Sequence, residues 1–483
     1  MKRLSVIAPL FAMLAVLAPP AVQALETTTG DPQLQRYIRE ALASNPAMEA
    51  RLQALLGQRL QAEAARAQRL PSLGMEARYT RALGGRVIEF PTGDLFNPVY
   101  ATLNQLLQEQ GEAPAFPTDL QNAEIPFLRP QEQETKLTLR APLFAPEITA
   151  AIAARAAQSD SAQARLEATA RMLVREVKRA YYGAAQAEAA EGILEASLAL
   201  LEEDLRIAGV MLREGTATRD RVLRARAEML AVQQQLDAAR AQTRQARRQL
   251  ARLLDRNAAD NLVLPDPTPS TEGASPVPVS ARDDVERPQE RPELRALDAG
   301  IRAAQAQAEA EAAQLLPEIV LAGDYGIQGE NYAIESDSEF GTLSIVMRWN
   351  LFDFGARRDT RDAARAEAAQ LRAERRDLER QLGIALEEAR DALQVSRRAL
   401  LTASARVEAA EAAFAIAERK RAEASLSQVA FIDAQRALTE ARLNAVITHF
   451  ALKDQHAEVE FVSASYPLPA LPIASAETID ATP

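Results

Sequence analysis

Residues 137–152 read LTLRAPLFAPEITAAI, and residues 344–359 read SIVMRWNLFDFGARRD. Each sets an alternating apolar run against a Leu-Phe corner and then opens a long Ala/Arg/Glu-rich tract. Phe144 and Phe352 mark the corners, 208 residues apart (352 − 144). A strand that turns into a helix in the same way twice, at that separation, points to internal duplication. On the strand side, Leu137, Leu139, Ala141 and Leu143 alternate with Lys136, Thr138, Arg140 and Pro142, while Leu343, Ile345, Met347, Trp349 and Leu351 alternate with Ser344, Val346, Arg348 and Asn350. Two further runs behave likewise: Leu73, Met75, Ala77 and Tyr79, and Ile319, Leu321, Gly323 and Tyr325. A period of two with one apolar and one more polar face suits a strand wet on one side only. It fits a soluble sheet packed on a helix, or a membrane barrel strand with lipid outside and water inside.

The flanking helices choose between these. Asn45-Pro46 opens a helical tract that stops at Pro71, and Arg291-Pro292 opens one that stops at Pro317, with the same spacing of 25 (71 − 46 and 317 − 292). Proline fits a first helical turn and ends a helix from just beyond it. No proline interrupts Pro146 to Pro265 or Pro317 to Pro467. Within the first of these, Leu194, Leu198, Leu201, Leu205, Ala208 and Leu212 step by three and four. Within the second, Leu386, Ala389, Leu393, Ser396, Leu400, Ala403, Val407, Ala410 and Phe414 do the same. Such seams pack helices lengthwise on one another. The run from Pro146 to Arg213 would extend about 100 Å at about 1.5 Å per residue, longer than a globular domain allows.

Each long tract has one interruption, and the two align at an offset of 209 (427 − 218): Gly215-Thr216-Ala217-Thr218 against Ala424-Ser425-Leu426-Ser427. Gly215 can end a helix, and Thr218 and Ser427 can cap the next, so these are hairpin tips. The predicted organisation is a repeat at 25–260, a Pro/Ser/acidic linker at 261–290, a second repeat at 291–462 and a flexible tail at 463–483. Each repeat runs helix, strand, strand, long helix, tip, returning helix. Strands are expected at about 72–82, 134–144, 317–327 and 340–352, and long helices at about 146–213, 218–255, 355–422 and 427–462. The segment between Arg81 and Glu134 reads as an external loop with a short helix of its own.

The first residues have the form of an export signal: Met1-Lys2-Arg3, an apolar Leu4 to Leu17, then Val22-Gln23-Ala24, which places the mature start at Leu25. There is no cysteine, hence no disulfide, thiol nucleophile or thiolate metal site. A net charge of −11 without a basic block argues against nucleic acid as a partner. Beyond the leader no apolar run reaches the roughly 20 residues of a membrane-spanning helix, so strands would have to do the crossing. Four strands cannot close a barrel, and an open edge is not tolerated in lipid, so several copies would share one barrel.

With its duplicated X-Pro helix openings, its Leu-Phe corners (NLFDFG above all, PLFAPE more loosely) and its paired tips, the chain resembles the outer membrane efflux protein family, the TolC-like outer membrane factors of Gram-negative bacteria. The resemblance covers about Leu34 to Phe461. It implies a mainly α fold with transmembrane β structure: a homotrimer with a twelve-stranded β-barrel in outer-membrane lipid, continued by a periplasmic α-helical barrel. It further implies the exit duct of a tripartite efflux pump or type I secretion system, docked to a periplasmic adaptor (membrane fusion) protein and an inner-membrane transporter.

The resemblance also places sites. Adaptor contact falls on the tips, Glu214, Gly215 and Thr216, and Glu423, Ala424 and Ser425. The family's acidic gate pair maps to Ala430 and Asp433, so one acid is kept. Its first-copy acid maps to Arg221, after Asp220, and its gate-bracing Tyr and Arg map to Arg421 and Leu426. Asp433 is expected to ring the pore, with Asp220, Arg221 and Arg224 forming inter-helix charge pairs. No catalytic constellation, cofactor motif or metal-ligand spacing is present. His449 and His456, the only histidines, read as helix-surface residues. The rival reading, a periplasmic coiled-coil adaptor or scaffold, predicts one hairpin between compact β domains rather than two hairpins preceded by amphipathic strands.

Overall fold

The computed structural model describes residues 31–257, 261–265, 291–331, 338–423, 425–469 and 471. The expected leader (1–24), the linker from 266 to 290, Ala424 and the end of the tail from 472 onwards lie outside the described residues. The first half of the chain forms α1 (Pro32–Ser44), α2 (Pro46–Ala67), β1 (Ser72–Arg81), β2 (Val87–Phe90), α3 (Thr92–Glu109), β3 (Ala123–Pro126), β4 (Gln131–Phe144), α4 (Pro146–Arg213) and α5 (Arg219–Leu253). The second half forms α6 (Pro292–Ala313), β5 (Glu318–Gly329), β6 (Glu339–Arg348), α7 (Ala356–Ala422) and α8 (Gln428–Val462). The equivalent helices match in length: 22 residues for α2 and α6, 68 and 67 for α4 and α7, and 35 for α5 and α8.

β1, β4, β5 and β6 form one antiparallel sheet in that order, leaving β1 and β6 as open edges. The register stacks Leu73, Leu139, Gly323 and Leu343 across the sheet on one face, and Gly74, Thr138, Asp324 and Thr342 on the other. The apolar face is uncovered: Leu73, Met75, Ile345 and Met347 are all exposed, and Leu343 is 73% exposed. Among the described residues no helix covers it, so the soluble-sheet reading fails. The polar face is tied by Arg78–Glu134 at 2.6 Å and Lys136–Glu134 at 3.1 Å. Pro142, which cannot donate to the ladder, sits where the β4–β5 register slips before Phe144.

The two corners reach their helices differently. At the second, Phe354 (φ 55°) and Gly355 (φ 91°) are left-handed, and Asp353 accepts from the Gly355 amide at 3.1 Å and the Arg357 amide at 3.3 Å. Hydrogen bonding to Arg357 also holds the Asp353 carboxyl below its ordinary range. At the first corner Ala145 (φ −142°, ψ 78°) makes no side-chain cap, and Pro146 starts the helix. β6 ends at Arg348, four residues short of the expected strand, and Trp349 instead donates its indole N–H to the Leu315 carbonyl at 3.1 Å.

Several expectations are corrected. An additional helix, α1, precedes α2. Asp31 caps it through the Gln33 amide at 2.9 Å and accepts the Tyr181 hydroxyl at 2.6 Å, while Tyr37 meets Tyr181 edge-on at 5.9 Å. Residues 261–265 are not linker, because Leu262 is buried in the same core and the Val263 amide donates to the Tyr37 hydroxyl at 2.9 Å. The described start of the tail is docked rather than flexible. Arg171 donates to the carbonyls of Ala464 (2.8 Å) and Tyr466 (3.0 Å), and Lys178 lies 4.2 Å above the Tyr466 ring. His449 is buried on α8, edge-on to Phe450 at 5.0 Å, not on the surface. His456 is half-buried, and burial together with the Arg397 charge lowers its pKa.

On α7 the predicted seam is buried at Ala389, Leu400, Ala403 and Phe414 and half-buried at Leu386, Leu393, Ser396, Val407 and Ala410, with none of its positions exposed. The α4 seam is rotated: Leu194, Ser197, Leu201, Asp204 and Ala208 are buried, while Leu198 and Leu205 are only half-buried and Leu212 is exposed. Two polar residues therefore occupy core positions, and each needs a partner.

Candidate functional site

Both tips close with the same turn. The Thr216 amide and hydroxyl donate to the Met211 carbonyl at 2.8 and 3.0 Å, and the Ser425 amide and hydroxyl donate to the Lys420 carbonyl at 2.8 and 3.0 Å. A backbone bond back over five residues ends a helix by satisfying an orphan carbonyl, and the hydroxyl strengthens it. At the first tip Gly215 supplies the left-handed residue (φ 69°). Glu214, Gly215, Thr216, Glu423 and Ser425 are all exposed, and Ala424 lies outside the described residues. The returning helices start differently. Ser427 accepts from the Ala430 amide at 3.3 Å, whereas Thr218 makes no such cap. The Thr218 hydroxyl is instead the main cause of a lowered Asp220 pKa.

The gate candidates do not form one cluster. Asp433 is exposed on α8. Asp220 pairs with Arg224 at 3.7 Å along its own helix, both side chains exposed, so the expected inter-helix pairing is corrected. Such a pair stabilises little. Arg221 is half-buried, and its Nε atom finds no hydrogen-bond acceptor among the described residues.

The inter-helix contact lies elsewhere, where Arg421, a position the family resemblance picked out, meets Asp204 and Gln428, which the sequence did not single out. Asp204 of α4 is 1% exposed. Its carboxylate accepts from the Arg421 guanidinium at the end of α7 and from Gln428 Nε2 at the start of α8, the latter at 2.6 Å. Arg421 also stacks 3.9 Å above the Phe431 ring, which packs against Phe414 at 5.7 Å. Leu426 packs against this aromatic cluster. Two turns along, Gln435 Nε2 donates to Ser197 at 2.6 Å, and Arg436 bridges α8 to Glu228 of α5 at 2.6 Å. The polar residues of the rotated α4 seam thus find their partners on the second hairpin. A buried carboxylate held by a guanidinium, an amide and a cation–π contact is a two-sided brace between the hairpins.

Among the described residues no group of His, Cys, Asp or Glu is arranged to hold a metal ion, and no helix is long and apolar enough to cross a membrane. Residues 128–256 and 286–459, more than half of the chain, match the family described as outer membrane efflux protein. A comparison with curated protein sequences finds no significant match. Among solved structures, the fold is similar to the outer-membrane channel OprN (20% identity, 90% of this chain and 91% of that one, TM-score 0.69). It is also similar to the CmeC outer membrane channel of Campylobacter jejuni (13% identity, 92% and 89%, TM-score 0.73). The open state of the MtrE outer membrane channel of Neisseria gonorrhoeae aligns at 17% identity over 89% of both chains, TM-score 0.68. The uncovered apolar sheet, the paired hairpins and the family match agree: this chain belongs to the outer membrane efflux protein family and has the fold of outer-membrane channels.

Proposed function

We propose that three copies of this chain close a twelve-stranded barrel and continue it as a helical tube, forming the passive exit duct of a tripartite efflux pump or type I secretion system. The observation that carries this is the four-stranded sheet with an uncovered apolar face and two open edges. In lipid those edges need partners, and β6 of one copy is the natural partner for β1 of the next. A passive duct needs no catalytic group. It needs an entrance that stays closed until a partner engages it.

In this reading the exposed tips, Glu214 to Thr216 and Glu423 to Ser425, are where a periplasmic adaptor binds and recruits an inner-membrane transporter. Asp433, one per protomer, lines the entrance as a ring of three carboxylates. The Asp204–Arg421–Gln428 brace holds the second hairpin against the first, and adaptor binding at the tips opens the tube by pulling them apart. Outer-membrane fractionation tests the assembly. A detergent-extracted, heat-modifiable trimer is expected, and release of a monomer with the periplasmic contents would overturn the duct.

A further inference from the structure

The insertion between β1 and β4 is built in a way that a solvated loop is not. β2 and β3 pair as a short ribbon, and α3 folds back against residues 115–122. The contact combines side-chain amides with a stacked Tyr100–Phe116 pair at 5.4 Å. Asn97 exchanges hydrogen bonds with the Leu120 amide and carbonyl at 2.9 and 2.8 Å, and Asn104 does so with Phe116 at 2.9 and 2.7 Å. Gly93 packs so closely that a Cβ there would lie 2.1 Å from the Leu120 carbonyl oxygen. With its amide-bearing face pinned inward, α3 turns its apolar stripe outward: Phe96, Val99, Leu103 and Leu106, at spacings of three and four, are all exposed, as is Leu95 beside them. An ordered element that presents an apolar stripe is an interface lacking its partner.

One observation argues against an anionic lipid surface, and a second points to a neighbouring copy. From residue 87 to 128 the sequence holds no Lys or Arg but six acids, Glu89, Asp94, Glu109, Glu112, Asp119 and Glu124. An anionic lipid headgroup surface would repel such a segment. The insertion is also rooted at the sheet edge: it leaves from the end of β1, and the Ala82 amide closes its base on the Pro130 carbonyl at 3.1 Å. It therefore stands beside the junction that the neighbouring copy's β6 would complete.

We infer that the α3 stripe docks on the insertion of the neighbouring copy, so that three insertions form a collar clasping the outer end of the barrel. This rests on the trimeric reading above. The test places the photo-crosslinking residue p-benzoylphenylalanine at Leu103 in the full-length protein, illuminates cells, and analyses the outer membrane by denaturing gel and mass spectrometry. Native mass spectrometry of the same detergent extract reports the assembly. Covalent dimers and trimers of this chain are expected. A native trimer that yields lipid adducts, adducts to another protein, or no adduct overturns the collar and leaves the trimer standing. Absence of the native trimer overturns both. As a second measurement, Val99→Asp with Leu103→Asp should lower the temperature at which the trimer dissociates in detergent, and an unchanged transition would contradict the collar.

Discussion

Thr216 and Ser425 occupy equivalent turns 209 residues apart (425 − 216), and each sends its amide and hydroxyl to the carbonyl five residues back. Beyond the turn the two tips part ways. The first carries exposed charges that pair along one helix, as Asp220 does with Arg224, and among the described residues no buried ionic contact holds it. The second ends in Arg421, which reaches across to a carboxylate buried on the first hairpin. Duplication thus preserved the backbone of the tip while its anchoring diverged. A turn of this kind is satisfied locally, within six residues. The anchor depends on α4, α7 and α8 meeting, and one substitution on either side suffices to create or remove it.

The largest expected effect breaks that asymmetry. Arg421→Ala leaves the Asp204 carboxylate buried and without its cation, which costs about 3–5 kcal/mol for a buried pair. Arg221→Ala, at a half-buried position with no pairing carboxylate among the described residues, should stay within about 0.5 kcal/mol. Urea unfolding of the detergent-solubilised protein reads both, and equal effects would erase the distinction between the tips. Asp204→Leu combined with Arg421→Met should recover most of the loss, because apolar side chains can replace a buried ion pair. Next in size, Gly215→Ala forces a Cβ into the left-handed region and should cost about 1 kcal/mol in the same assay. A neutral or stabilising result would mean that the first turn is not held at that geometry.

Asp433→Ala should leave stability within about 0.5 kcal/mol, as expected of an exposed helix residue. Cation selectivity should fall in planar bilayers, and unchanged selectivity would remove Asp433 from the entrance. The smallest effect lies at the opposite end of α8. His456 has its pKa lowered by burial and by Arg397, so the unfolded chain binds the proton more readily than the folded one. Its contribution is complete above the unfolded pKa, near 6.5. It is lost as pH falls below that value. His456→Gln should flatten the stability profile between about pH 7 and 5 relative to the parent, and an identical slope would assign the acid sensitivity elsewhere.

Much of the fold was legible because it is periodic. Alternation placed the four long strands, paired prolines placed α2 and α6, and the Leu-Phe corners placed the starts of α4 and α7. The brace was not legible, for a physical reason. Leu198 and Leu205 complete a better apolar seam than Ser197 and Asp204, and only the partners waiting on the second hairpin make the polar choice stable. Likewise Arg421 was reached through the family pattern, but its partner carboxylate lies more than 200 residues away in the chain. α1 carried its signal openly, an Asp capping residue before Pro32, while the docked tail depends on carbonyl contacts to Arg171 that leave no pattern in the sequence. The helix of the insertion was legible between its proline-rich ends, but the Asn97 and Asn104 contacts that fold it back were not, because their partners come 12 to 23 residues later.

The most direct test of a duct closed by the second tip is single-channel conductance of the purified protein in planar bilayers, with the parent and Arg421→Ala compared at one salt concentration. The parent should open as a low-conductance pore and Arg421→Ala as a larger one, with Arg221→Ala unchanged. Equal conductance of the parent and Arg421→Ala, in preparations that are trimeric, would contradict the brace as the element that holds the entrance shut.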